Sequence, residues 1–235
     1  MTLDEVMREL ESMGTAQTKK TFLRHGAKEP FFGVKVGDMK KIQKKVKKDH
    51  ALSLALFDTG NADAMYLAGL ISDPPKMTRP LLQKWVKGAY WHGISSYTVP
   101  WVAAESNFGM ELAREWIDSP KEQIANAGWF TLSSLVSIKD DEELDLDELV
   151  ELLDRVVKQV HKAQNLVKAA MNGFVIAIGG HVAPLLPKAK AAAKAIGHVD
   201  VDMGDTDCKV PNALGYIQML EEKGRIGRKR KSAMC

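Results

Sequence analysis

Between Lys84 and Asn107 the chain reads KWVKGAYWHGISSYTVPWVAAESN, and three of its five Trp and two of its four Tyr fall in that stretch. Aromatic faces stack on nucleobases with little regard to sequence, and cations beside them neutralise phosphates. Trp91, Tyr97 and Trp101 are therefore candidates for holding a base. The competing reading is plain: Trp at helical spacing is usually core. The chemistry such a cluster could perform is base excision, in which a carboxylate beside a cationic lesion helps to break the N-glycosidic bond. That requires an Asp or Glu among the rings. Glu105 and Asp118 are the nearest, each with a competing reading as a surface residue, and Glu105 is the one candidate for catalysis.

No other catalytic signature is present. The chain has no GxSxG, HExxH, P-loop or dinucleotide fingerprint, so no cofactor is expected. GGHV at Gly179–Val182 reads as a helix end. Six His share no ligand spacing, and two Cys, Cys208 and Cys235, form no CxxC. Asp200, Asp202, Asp205 and Asp207 with His198 and Cys208 resemble a metal constellation. The EF-hand pattern fails there, because Gly204 falls at the fifth position from Asp200 and no Glu closes the loop. No metal is expected.

Two cationic stretches could position phosphates. One is the helix MKKIQKKVKKDH, with Met39, Ile42 and Val46 inward and Lys40, Lys41, Lys44, Lys45, Lys47 and Lys48 outward. Such a face binds phosphate or is merely solvated, and both readings stand. The other is the ending GRIGRKRKSAMC, where Arg225, Arg228, Lys229, Arg230 and Lys231 form an arm expected to be disordered until it meets phosphate. Net charge is only +3, from 33 Lys and Arg against 30 Asp and Glu, so attraction for an acidic partner must come from where the charges sit.

The elements that carry these residues read as helices. Thr2 caps a first helix with Glu5 as its capping-box partner, and the helix ends at Gly14. A second runs from Gln17 to His25, and GAKEPFFGVKVGD then breaks the helix and leaves Phe31 and Phe32 to dock on a neighbour. About a dozen apolar-periodic segments follow, with strand-like alternation only at HVDVDMG. Helix pairs without a βαβ rhythm predict an all-α solenoid built from units of roughly 40 residues, of the HEAT or armadillo type. We expect one domain over 1–222, with a small β-hairpin or ordered loop near 198–210, and a basic tail over 223–235. The N-terminus lacks a leader pattern and the longest apolar stretches are interrupted, so the expected setting is cytoplasmic, away from membranes, and monomeric.

Four segments carry a family resemblance: EPFFGVKVGDMKKIQK, REWIDSPKEQIANAGW, KAAMNGFVIAIGGHV, and VDVDMGDTDCKVPNALGYI with GRIGRKRK. The chain resembles the HEAT-like repeat DNA alkylation repair proteins, which include alkylpurine DNA glycosylases. The resemblance implies an all-α superhelix with a basic concave groove for DNA, lined here by Trp91, Tyr97, Trp101, Asn126, Trp129, Asn172 and Phe174. It departs from the family at the glycosylase motif. Tyr97 stands for the motif's Trp and Trp101 for its catalytic Asp; starting from Trp91 instead puts Ser95 there. The groove Arg falls near Asn126 and the second groove Trp near Phe174. The expectation is a protein that grips duplex, alkylated or branched DNA, with alkylpurine excision weak or absent. From another class, a helical-repeat scaffold for a protein partner is the alternative.

Overall fold

Helix caps in this chain are written locally. Thr2 accepts a hydrogen bond from the Glu5 amide while the Glu5 carboxylate accepts from the Thr2 amide, closing the capping box of α1 (Leu3–Met13). Thr15, Asp49, Asn61, Thr78, Asp145 and Asn212 cap later helices through their side chains in the same manner. The computed structural model describes residues 1–206 and 208–234. It holds thirteen α-helices and, among the described residues, no strand. None of these helices is by itself long and apolar enough to cross a membrane.

The chain divides into two compact units. The first comprises 1–108 with 203–206 and Met234. It contains α1, α2 (Ala16–Arg24), α3 (Val36–Val46), α4 (His50–Asp58), α5 (Ala62–Ile71), α6 (Arg79–Gly88) and α7 (Val99–Ala104). The apolar helix α5 is its centre, touching α1, α3, α4 and α7 and burying nine of its ten residues. Leu67, Ala68 and Ile71 on α5 meet a core that includes Val6, Leu10, Ile42, Leu56 and Leu82. Between α6 and α7 the aromatic stretch forms a π-helical turn over Ile94–Thr98, a rare geometry that is enriched at functional sites.

The second unit comprises 109–202 with 208–233. Its helices are α8 (Gly109–Ile117), α9 (Glu122–Ile138), α10 (Leu146–Gln159), α11 (Asn165–His181), α12 (Leu186–Ile196) and α13 (Ala213–Glu222). Two layers form: α9, α11 and α13 pack in series, and α10 packs on α12, with α8 against α9. Each pair is a helical hairpin stacked on the next, as the sequence periodicity predicts. Gly128 lets α9 approach α8 closely, since a Cβ there would lie 2.6 Å from the Ile117 amide nitrogen.

Two expectations meet the structure near the C-terminus. Of the hairpin or ordered loop expected near 198–210, it is the loop that forms, since the described residues there hold no strand. The Asn165 side chain takes the place of a second strand, donating from Nδ2 to the Asp202 carbonyl at 2.7 Å while its Oδ1 accepts from the Asp202 amide at 2.8 Å. The basic tail is not a free arm. Gly227 donates its N–H to the Gly180 carbonyl at 2.9 Å and Arg230 to that of Ser137 at 2.7 Å, and Ala233 is fully buried. Short-range charge density suggested solvation; backbone hydrogen bonds to α9 and α11 override it.

His181 helps to hold the tail, with its Nδ1 2.7 Å from the Arg228 carbonyl oxygen. Burial holds this imidazole below its ordinary 6.5, Lys229 and Arg230 push the same way, and the Arg228 carbonyl opposes them. The unfolded chain therefore takes up the proton at a higher pH than the native one does. His181's contribution is complete above pH 6.5 and is lost as pH falls through the depressed native value. Amide exchange, corrected for intrinsic rates, should show the Gly227 and Arg230 protection falling across that window. In His181→Gln the protection should be flat with pH.

Candidate nucleic-acid interface

The lysines of α3 divide into two sets. Lys41 pairs with Asp38 at 2.7 Å, Lys45 with Glu9 and Lys48 with Asp73 at 3.9 Å. Lys40, Lys44 and Lys47 are exposed and have no carboxylate partner among the described residues. A spacing of four residues puts Lys40 and Lys44 on one face of α3, and Lys47 lies just beyond its last turn. Lys47 is the helix cap, with a φ of 62°. A set of unneutralised ammonium groups suits successive phosphates, because each contact releases counterions. Three of the six lysines expected to face outward here, Lys41, Lys45 and Lys48, are thus partly neutralised in place, which leaves Lys40, Lys44 and Lys47.

Beside α3 lies a cavity of about 260 Å³, formed wholly within the first unit. Phe22, Tyr66, Trp91, His92 and Tyr97 give it aromatic walls, and Val36 and Met39 of α3 supply an aliphatic one. Trp91 is locked: its Nε1 donates to the His25 carbonyl at 2.9 Å, and its ring lies 5.1 Å from that of Phe22 and 5.2 Å from that of His92. Burial holds His92 below the ordinary imidazole value, so it is neutral at pH 7. Tyr97 is 42% exposed, and its ring lies 5.7 Å from that of Trp101. Trp101 itself is buried, edge-on to Tyr66 at 5.5 Å.

The cavity also has a carboxylate that the sequence reading overlooked. Asp63 on α5 is buried, and its oxygens accept from the amides of Phe32 at 2.6 Å, Gly33 at 2.8 Å and Val34 at 3.1 Å. Burial pushes this carboxyl above the ordinary 3.8, against the pull of the three N–H groups. Asp63 thereby clamps the loop that carries FFGV and aims the start of α3. Gly33 is required within it: φ is +81°, and a Cβ would stand 2.6 Å from the Lys19 amide nitrogen. Lys19 adds to the clamp by pairing with Glu29 at 2.7 Å and lying 5.3 Å from the Phe31 ring centre. One signal was available, an acid inside the otherwise apolar ADAMYLAGLI.

The remaining sequence candidates lie in the second unit, the aromatic and amide ones inside it and most of the cationic ones on its surface. Asn126, Trp129, Asn172 and Phe174 are all buried, with Trp129 and Phe174 edge-to-face at 5.3 Å. They are core residues, which corrects their assignment to a DNA-facing groove: a duplex does not reach fully packed side chains. Asn172 is tolerated inside because its Nδ2 donates to the Pro211 carbonyl at 3.0 Å. Lys229 is removed from the phosphate set as well. Its ammonium pairs with Asp141 at 2.8 Å and donates to the Val136 carbonyl at 3.0 Å. Arg225, Arg228, Arg230 and Lys231 stay exposed.

Neither proposed carboxylate sits among the cavity rings. Glu105 is half-buried at the end of α7, and Asp118 pairs with Arg155 at 2.7 Å. The Asp-rich segment brings no group of three metal-ligating side chains together among the described residues, and Asp207 lies outside them.

A profile of the DNA alkylation repair enzyme family matches residues 6–194. The chain belongs to the DNA alkylation repair enzyme family. Over a longer stretch than that match it is similar to an uncharacterized protein of Listeria innocua, 32% identical over 229 residues that cover 95% of this chain and 99% of that one. It is equally similar to one of Listeria monocytogenes, 31% identical over the same shares. A solved structure covers 100% of both chains with a TM-score of 0.92 and 37% identity; it is described as a new family of proteins related to the HEAT-like repeat DNA glycosylases with affinity for branched DNA structures. The all-α HEAT-like fold predicted from helix periodicity is therefore that of this family. Both the Asp63 clamp and the α3 lysines lie inside the matched range.

Proposed function

We propose that this protein is a cytoplasmic DNA-binding protein that grips branched DNA through the sugar-phosphate backbone and does not excise alkylpurines. The observation that carries the reading is the set Lys40, Lys44 and Lys47, three exposed ammonium groups on α3 and at its C-cap without carboxylate partners among the described residues. Arg225, Arg228 and Lys231 supply further exposed cations in the second unit. The full-length similarity to a protein with affinity for branched DNA structures supports the choice of branched DNA.

Against excision stand the positions aligned with the family's catalytic Asp. Trp101 and Ser95 are both buried, and neither is a carboxylate. Asp63, the one carboxylate lining the aromatic cavity among the described residues, already accepts three N–H hydrogen bonds and is spent on the loop. A positioned anion is what stabilises the developing oxocarbenium charge in such reactions. DNA carrying a cationic alkylpurine, incubated with the protein, should therefore release base at the rate of the protein-free control. Fast release that disappears in Glu105→Gln would show that excision is retained through a displaced carboxylate.

A further inference from the structure

We propose that the cavity of the first unit receives a single unpaired nucleobase, drawn out of the stack at the branch of the bound DNA. The proposal rests on the DNA-binding reading above. At about 260 Å³ the cavity lies just under the roughly 300–1,000 Å³ of small-molecule sites, so it admits one base and leaves the sugar and phosphate outside.

Its surroundings fit a base better than an uncharged apolar ligand. Thr21 and His25 of α2 line the cavity, and their chain neighbours Lys20 and Arg24 are exposed with no carboxylate partner among the described residues. Val36 and Met39 of α3 line it as well, and Lys35 and Lys40 adjoin them, both exposed. Cations thus flank the cavity on both helices, and Lys40 belongs to the unpaired set on α3. A nucleotide matches this combination: the ring enters among Phe22, Trp91 and Tyr97 while its phosphates meet the cations.

Polar recognition inside is limited. The Asp63 oxygens already accept from three amides, and the Trp91 Nε1 is committed to the His25 carbonyl. The His25 and His92 rings and the Tyr66 and Tyr97 hydroxyls add to the polar lining, but ring and aliphatic surface is the larger part of it, so stacking dominates, and stacking is tolerant of base identity. The site reads that a base is unpaired, not which base it is.

A three-way junction with one unpaired base at the branch, and the same junction with an abasic nucleotide in its place, test the proposal. The wild-type protein should bind the first about tenfold more tightly, and exchanging the four bases should change affinity less than about threefold. Thr21→Trp fills the cavity from α2, where the Thr21 hydroxyl bonds only to the Gln17 carbonyl of its own helix. That variant should lose the preference while binding the abasic junction as wild type does. Tyr97→Ala removes an exposed ring and should also cut the preference, to below about threefold. Equal binding of the two junctions by the wild-type protein overturns the pocket and leaves the DNA reading intact. Persistence of the full preference in both variants overturns it too, by placing the base elsewhere. If no junction binds at all, the DNA reading fails and the pocket proposal falls with it.

Discussion

Changing Lys40, Lys44 and Lys47 together to Glu should lower affinity for branched DNA by about 100-fold at moderate salt, since three phosphate contacts are lost and three repulsions gained. The control is the other half of the same helix. Lys41, Lys45 and Lys48 carry the same charge but already face Asp38, Glu9 and Asp73, so reversing them alters net charge identically and should cost far less. Neither triple should unfold the protein, because exposed ion pairs of this kind contribute roughly 0–1 kcal/mol each. Milder changes to Gln in the first triple should reduce the slope of log affinity against log salt by about 2.7, close to 0.9 for each phosphate contact. Equal losses from the two triples would mean that only net charge matters and that the unpaired set has no special place in binding.

The second large effect concerns stability. Asp63→Ala leaves the amides of Phe32, Gly33 and Val34 without their acceptor, and at least the last two of these hydrogen bonds are buried. Buried donors left unpaired cost about 1–3 kcal/mol each, so denaturant unfolding should show a loss of roughly 4 kcal/mol. Asp63→Asn keeps one acceptor oxygen and should lose about half as much. The clamped loop also leads into α3, so DNA binding should weaken in proportion to the loss of structure. A loss under about 1 kcal/mol in the alanine variant would show that the loop amides find other partners.

These two predictions draw on different kinds of information. The capping box at Thr2, the helix pairs and the lysine-rich α3 were legible because each depends on residues within one or two turns of one another. Phe31 was legible as a docking residue, and it is buried. The division of the α3 lysines was not, since Glu9 and Asp73 come from elsewhere in the chain. Asp63 escaped for the same reason, its partners lying about 30 residues upstream. Among the aromatic candidates, periodicity could not separate wall from core: Trp91 lines a cavity while Trp129 is wholly enclosed. The basic tail misled most directly. Its charges predicted solvation, whereas its order comes from main-chain hydrogen bonds to Gly180 and Ser137, which no side-chain pattern encodes.

A protein that holds DNA by its phosphates and favours a branch must show both in its salt dependence. The direct measurement is the affinity of the unmodified protein for a three-way junction and for a linear duplex of the same length across a salt series. Binding to the junction should be tighter at every salt concentration, with affinity falling steeply and linearly on a log–log scale. No detectable binding at low salt, or binding that salt does not weaken, would contradict a hold through the phosphates.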